Sequence, residues 1–410
     1  MKKQTFKRRD MIKATGALAV ALALSAGVQA QSGGELLIGG LVPVTGAGAP
    51  YGGNMLKAME IGVKEVNDAG GMAGRSLRLI AEDSQTQPQA AVLAAKKLIE
   101  INKVQAILGT WASGVTLAVL PLTDAANIIQ MNVSGAPAIS EIDKKDLVWR
   151  FQATNDRFGR AFAEIAAKNG YKKPATMAFN NASGRGNTDG FIKAWEAKGG
   201  KVLANVVYEP NRSSYRSELQ KVLATDPDVI VMGSYLPDTT IILREWFQSG
   251  AENAWIIPGW AANPELVQAL GQEVTDGIIS VDTVSNSDAD SYTDLNQRYR
   301  QATGADLADN VYAAMTYDMV ISLALAAHKA GADATPQQIS DQIRAVSNPD
   351  GEKVYSYAQG KALLDAGKDI DYEGASSRLN FDEYGDSNPD FGVYAIRDGK
   401  FERVDTISLD

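Results

Sequence analysis

The chain has 410 residues, 45% of them apolar and 22% charged, enough for two domains with sizeable cores and too apolar for a disordered chain. It has no Cys and a single His, His328, which excludes disulfides, thiolate chemistry and Cys-ligated metal sites. Its net charge is −9, and setting aside the +5 of the first thirty residues leaves −14 on the remainder, a sign that repels phosphate backbones and anionic lipid and argues against nucleic acid as a partner.

The N-terminus reads as an export signal. A basic stretch runs to Lys13, an apolar run follows from Ala14 to about Ala26, and small residues end at Val28-Gln29-Ala30. These are the three parts of a secretory signal peptide, predicted over residues 1–30. The apolar run is shorter than the roughly 20 residues of a spanning helix. Arg8-Arg9-Asp10-Met11-Ile12-Lys13 also resembles a twin-arginine signal, so the Sec and twin-arginine routes both stay open. Either predicts a periplasmic location, and no later segment reads as a membrane anchor.

From Leu36 the chain alternates short β-rich runs with helical patterns. Leu36–Val42, Leu77–Ala81, Val104–Leu108 and Ile128–Val133 read as strands; Asn54–Ala69, Gln87–Ile101 and Ser113–Ala126 read as the helices between them. The rhythm restarts after Asn155. Strands are predicted at Thr176–Phe179, Val202–Tyr208, Val229–Met232 and Trp255–Ile257. Helices are predicted at Phe158–Asn169, Asn187–Lys198, Ser214–Ala224 and Thr239–Ser249. Two such runs predict an α/β protein of two doubly wound parallel-sheet lobes. A helical region follows (Ser291–Thr303, Val311–Ala330, Pro336–Val346), then a β-ribbon, Gly392–Arg397 and Phe401–Ile407, turned by Asp398-Gly399. The helical region is expected to return to the first lobe and the ribbon to join the second. This makes residues 31–153 and 284–378 lobe 1, and 154–283 and 379–410 lobe 2. Several crossings form a hinge suited to closure around a ligand.

An ordered series of local patterns resembles the Leu/Ile/Val-binding family of type I periplasmic binding proteins. It comprises Pro43-Val-Thr-Gly46 with Tyr51-Gly52, Asn67-Asp-Ala-Gly-Gly-Met-Ala-Gly74, Glu82–Pro88, Leu108–Thr116, Gly233-Ser-Tyr235, Tyr317-Asp318 and Tyr372–Asp382. The resemblance implies a Venus-flytrap pair of lobes, no catalysis, no cofactor, and delivery of a small-molecule ligand to an ABC importer permease.

Ligands of doubly wound sheets bind beyond the carboxyl ends of the strands. That edge offers Tyr51, Trp111, Ser113, Thr116, Ser134, Gly135, Ala136, Ser183, Tyr235, Asp238 and Trp260 as candidate ligand-binding residues. Ser113 opens a helix, where unpaired N–H groups and the helix dipole favour an anion, with the Ser113 and Thr116 hydroxyls as added donors. Ser113 as a plain N-cap and Ser134-Gly135-Ala136 as a plain turn stay open beside this. Relatives that bind aliphatic amino acids carry a Glu, the anchor of the ammonium, where this chain has Trp260; another family Tyr is replaced by Ser183. Asp238 is the one nearby acid. The ligand is therefore an amino acid held differently, or a related small carboxylate, amide or aromatic acid.

Four other readings have weaker or equal support in the residues. Gly184-x-Gly186-x-x-x-Gly190 grazes the dinucleotide fingerprint of an enzyme but has the wrong spacing. His328 ends an apolar helix and lacks a nucleophile motif, and the acidic run Asp382–Asp390 lacks EF-hand spacing. A freestanding ligand-sensing module of a signalling system shares the architecture and remains the alternative.

Overall fold

The structure, a computed structural model, describes residues 34–409. The export signal predicted over residues 1–30 lies outside the described residues. Five short apolar segments build the first sheet: β1 (Leu36–Val42), β2 (Leu77–Asp83), β3 (Ala106–Thr110), β4 (Ile129–Asn132) and β5 (Val148–Arg150). They are parallel throughout, in the order β2-β1-β3-β4-β5. β3 and β4 are buried on both faces, as parallel strands covered by helices must be.

The second sheet contains β6 (Pro174–Phe179), β7 (Asn205–Tyr208), β8 (Val229–Gly233), β9 (Ala254–Pro258) and β10 (Ile279–Thr283), again parallel. Two strands, β11 (Glu352–Val354) and β12 (Ile370–Tyr372), form a small parallel pair of their own. The C-terminal hairpin, β13 (Phe391–Arg397) and β14 (Lys400–Ile407), adds antiparallel to β10 and closes one edge of the second sheet. The sheet order is β14-β13-β10-β9-β8-β6-β7.

The chain passes between the two sheets three times: after β5, after β10, and between β12 and β13. The fold is thus the two-lobed α/β arrangement expected, with a hinge of several crossings. β5, β11 and β12 escape the sequence reading because each spans three residues; β10 escapes because Ser280 and Asp282 interrupt its apolar run.

The late helices pack on the first sheet's helices. Helix Val311–Ala330 lies against helix Ala49–Asp68, and Glu65 ties them: it accepts from Tyr317 Oη (2.6 Å), Arg298 Nη1 (2.6 Å) and the Tyr357 N–H (2.9 Å). Two of the family-like motifs also meet. Asp318 accepts from Tyr372 Oη at 2.8 Å and from the N–H groups of Ala375 and Ser376 at 3.0 and 2.7 Å. Burial raises the Asp318 carboxyl to about 6 against these bonds. Contrary to the sequence reading, Val311–Ala330 is long and apolar enough to cross a membrane by length and composition. Its residues 312–327 are, however, all buried inside the fold.

The glycines that suggested a dinucleotide loop do a packing job. A Cβ on Gly190 would fall 2.6 Å from Asp156 Cα, and one on Gly159 2.3 Å from the Phe191 nitrogen. Only glycine lets helices Ala182–Ala197 and Asn155–Lys168 approach so closely.

Candidate functional site

The carboxyl ends of both sheets converge on a small, tightly closed cavity of about 20 Å³. The first sheet contributes Trp111 after β3 and Val133 and Gly135 after β4. Gln152 comes from the first crossing, and Asn155 and Phe158 from the first turn of the helix that follows it. Ser183, Tyr235 and Trp260 follow β6, β8 and β9, and Tyr312 comes from the start of helix Val311–Ala330.

Of the eleven residues picked from sequence, Trp111, Gly135, Ser183, Tyr235 and Trp260 line this space. Tyr51 stands just behind. Its ring stacks on Trp111 with centroids 5.7 Å apart, and its hydroxyl donates to the Trp260 carbonyl (3.2 Å) while accepting from Asn263 Nδ2 (2.9 Å). Trp111 meets Tyr235 at 5.1 Å. The contacts of Tyr51 with Trp260 and Asn263, and of Trp111 with Tyr235, join the two sides of the cleft and hold it shut. Burial raises the Tyr235 hydroxyl to about 12 against hydrogen bonds from Asn181 and Ser183, and raises those of Tyr51 and Tyr312 further.

The hydroxyl donors expected from the first lobe are mostly engaged. Thr116 Oγ1 donates to Thr110 Oγ1 at 2.8 Å and shares a 2.5 Å hydrogen bond with Ser134 Oγ. Ser134 Oγ also lies 2.9 Å from the Trp111 carbonyl. Both side chains are buried and turned into the lobe, so they support the loop and do not face the cavity. Ser113 is the first residue of its helix, with Ala112 as the cap, and its Oγ accepts from the Ala136 N–H at 3.1 Å. The plain N-cap role for Ser113 is therefore set aside, and its hydroxyl proton stays available.

The Ser134–Ala136 loop has its carbonyls anchored. Arg150 Nη1 donates to the oxygens of Ser134 and Ala136 (3.0 Å each), and the Asn155 N–H donates to that of Gly135 (2.6 Å). With the N–H groups of Ser134 and Ala136 also used, the Gly135 N–H is the loop's remaining donor among the described residues. Arg150 is itself fully buried and ion-paired with Asp386 at 2.8 Å.

Asp238 is a correction. It is buried at the start of helix Leu236–Ser249, accepts from Tyr215 Oη (2.6 Å) and the Asn211 N–H (3.2 Å), and does not line the cavity. Burial raises its carboxyl, with those two bonds opposing. A second acid, half-buried Asp282, sits one residue before the end of β10 and is pushed up to about 7 by burial, but it too is absent from the lining.

Sequence reasoning missed Val133, Gln152, Asn155, Phe158 and Tyr312. Val133, at the end of a strand run, carried the usual positional signal; the others had none. Among the described residues no group of three or more His, Asp or Glu could hold a metal ion. His328 is paired with Asp365 at 2.8 Å, away from the cavity.

The profile of a family described as periplasmic binding protein matches residues 35–361. Leu/Ile/Val-binding protein homolog 3 of Brucella melitensis is 26% identical over 386 residues, 93% of this chain and 96% of that protein. Among solved structures, the leucine-binding protein LivK of Thermotoga maritima aligns with a TM-score of 0.78 at 22% identity, covering 91% of this chain and 99% of LivK. A solute-binding protein of an ABC transporter from R. palustris, solved in complex with benzoate, aligns with a TM-score of 0.73 at 21% identity, covering 92% and 98%. Over most of its length, then, this chain belongs to the Leu/Ile/Val-binding family of type I periplasmic binding proteins, whose members bind substrates and are not enzymes.

Proposed function

We propose that the protein is the extracytoplasmic solute-binding component of an ABC importer, and that its cavity encloses a small organic acid lacking an ammonium group. Residues 1–30 would direct it to the periplasm. Residues 31–153 with 284–378, and 154–283 with 379–410, would act as the two closing lobes, and the partner would be an importer permease.

One observation carries the reading: none of the residues lining the cavity is charged. An enclosed ammonium without a carboxylate partner is costly, and the family resemblance puts Trp260 where an ammonium-anchoring Glu would be expected. An anion fares better. The Gly135 N–H lies in the lining, and behind its loop the start of the 14-residue helix Ser113–Ala126, with the Ser113 hydroxyl holding the Ala136 N–H, adds a favourable dipole. Trp111, Tyr235 and Trp260 supply flat apolar walls. The benzoate bound by the R. palustris protein is of this class.

Matched pairs test it. Thermal-shift titrations compare 3-phenylpropanoate with L-phenylalanine and 4-methylpentanoate with L-leucine. The des-amino acids should raise the melting temperature, because a ligand of the folded state adds RT ln(1 + [L]/Kd) of stability. A shift produced by the amino acids alone would reject the reading.

A further inference from the structure

The cavity holds two buried polar atoms that the protein itself leaves unpaired. Gln152 is 2% exposed and Asn155 is 1% exposed, and both line the space. Gln152 Oε1 accepts from the Ala153 N–H at 2.9 Å, which fixes how the amide is turned and leaves Nε2 facing the Tyr312 hydroxyl without closing a full hydrogen bond to it. Asn155 Nδ2 donates to Asn187 Oδ1 at 2.6 Å, leaving Oδ1 without a donor. Buried side-chain polar atoms are paired in the large majority of cases. A spare donor and a spare acceptor in the same small cavity mark a place where a ligand completes the bonding.

The position of this pair relative to the proposed carboxylate donors narrows the chemistry. Asn155 is pressed against the Ser134–Ala136 loop: a Cβ on Gly135 would sit 2.6 Å from Asn155 Oδ1, and one on Gly186 2.8 Å from Asn155 Cβ. The second polar group of the ligand therefore lies next to the carboxylate and not at the far end of the molecule. It must both accept from an amide N–H and donate to an amide oxygen, and no carboxylate lines the cavity to neutralise a charge. A hydroxyl meets each condition. An ammonium would set N–H against the N–H of Gln152, and a plain hydrocarbon would leave both amides unpaired.

We propose that Gln152 and Asn155 hold the hydroxyl of a 2-hydroxy acid, accepting from Gln152 Nε2 and donating to Asn155 Oδ1, with the adjacent carboxylate on the Gly135 side. This rests on the cavity being the ligand site for acids without an ammonium, and it deepens that reading by naming the group on the neighbouring carbon.

Isothermal titration with 3-phenyllactate, 3-phenylpropanoate and L-phenylalanine, and with the smaller pair lactate and propanoate, tests it. The hydroxy acid of a pair should bind about tenfold or more tighter than its deoxy partner. In Gln152→Met that ratio should fall toward one, with the deoxy acid gaining affinity because an unpaired buried donor has gone. In the near-isosteric Gln152→Glu, preference should move away from the hydroxy acid toward L-phenylalanine. Circular dichroism of each variant confirms folding, and the wild-type ratio decides the matter if a variant fails to fold. Equal affinity for hydroxy and deoxy acids in the wild type, or a ratio unaffected by both substitutions, overturns the inference while leaving the cavity reading intact. Failure of every acid to bind overturns both.

Discussion

The two walls of the cavity are built on different principles. On the first-sheet side, a hydrogen-bond network backs the rings of Trp111 and Tyr312: Thr110, Thr116 and Ser134 share hydroxyl contacts, Gln130 accepts from Thr123 Oγ1 at 2.8 Å, and Arg150 grips two carbonyls of the Ser134–Ala136 loop. On the second-sheet side, rings dominate: Phe158 packs edge-on against Trp260 at 4.9 Å and Phe391 at 4.8 Å, and Tyr235 against Phe179 at 5.1 Å. A polar wall whose groups are already committed can aim its few remaining donors with little reorganisation on binding. An aromatic wall supplies contact area and shape. On the proposed reading the first lobe would hold the carboxylate, and the rings of both lobes would set the outline of the space.

The strongest way to break the polar wall is Arg150→Met. It leaves Asp386 buried without its partner and frees the loop carbonyls, and should cost about 3–5 kcal/mol of stability in denaturant unfolding. A loss near zero would mean that the ion pair does not hold the loop. The aromatic wall is tested by Trp260→Ala, which should weaken ligand binding by about 2 kcal/mol or more in calorimetry, since the ring is almost fully buried and central. Ser113→Ala removes one hydroxyl and the acceptor of the Ala136 N–H, and should weaken carboxylate binding by about 1.5 kcal/mol. Unchanged affinity would confine Ser113 to supporting the loop.

The smallest effect concerns pH. The Asp282 carboxyl is raised from 3.8 to about 7 by burial, so the folded state binds the extra proton more tightly than the unfolded chain does. Its contribution to stability is full below pH 3.8 and is lost as pH rises through about 7. Asp282→Asn should therefore gain melting temperature over the wild type progressively across that window and hold the gain above it. A difference that does not vary with pH would contradict the burial assigned to this group.

The alternation of strands and helices was legible because parallel strands covered on both faces are continuous apolar runs and each is followed by a periodic helix. Residues directly after a strand, such as Trp111, Tyr235 and Trp260, were legible as cavity residues for the same topological reason. Thr116 and Asp238 misled because a position within the first helical turn says nothing about where the side chain points. Each found a partner inside its own lobe, Thr110 and Tyr215 respectively. Gln152 sits in a crossing segment with no periodicity, Asn155 opens the helix after it, and Tyr312 arrives from a helix more than 150 residues further along the chain. Tertiary packing alone brings them to the cavity.

The most direct measurement is a crystal structure of the protein with a bound 2-hydroxy or aromatic acid. The account predicts the ligand between Trp111, Tyr235 and Trp260, its carboxylate toward the Gly135 N–H, with no ion-paired side chain in contact. A ligand seated instead in the open groove beside Arg185 and Lys193, or a bound amino acid whose ammonium meets an acidic side chain, would contradict it.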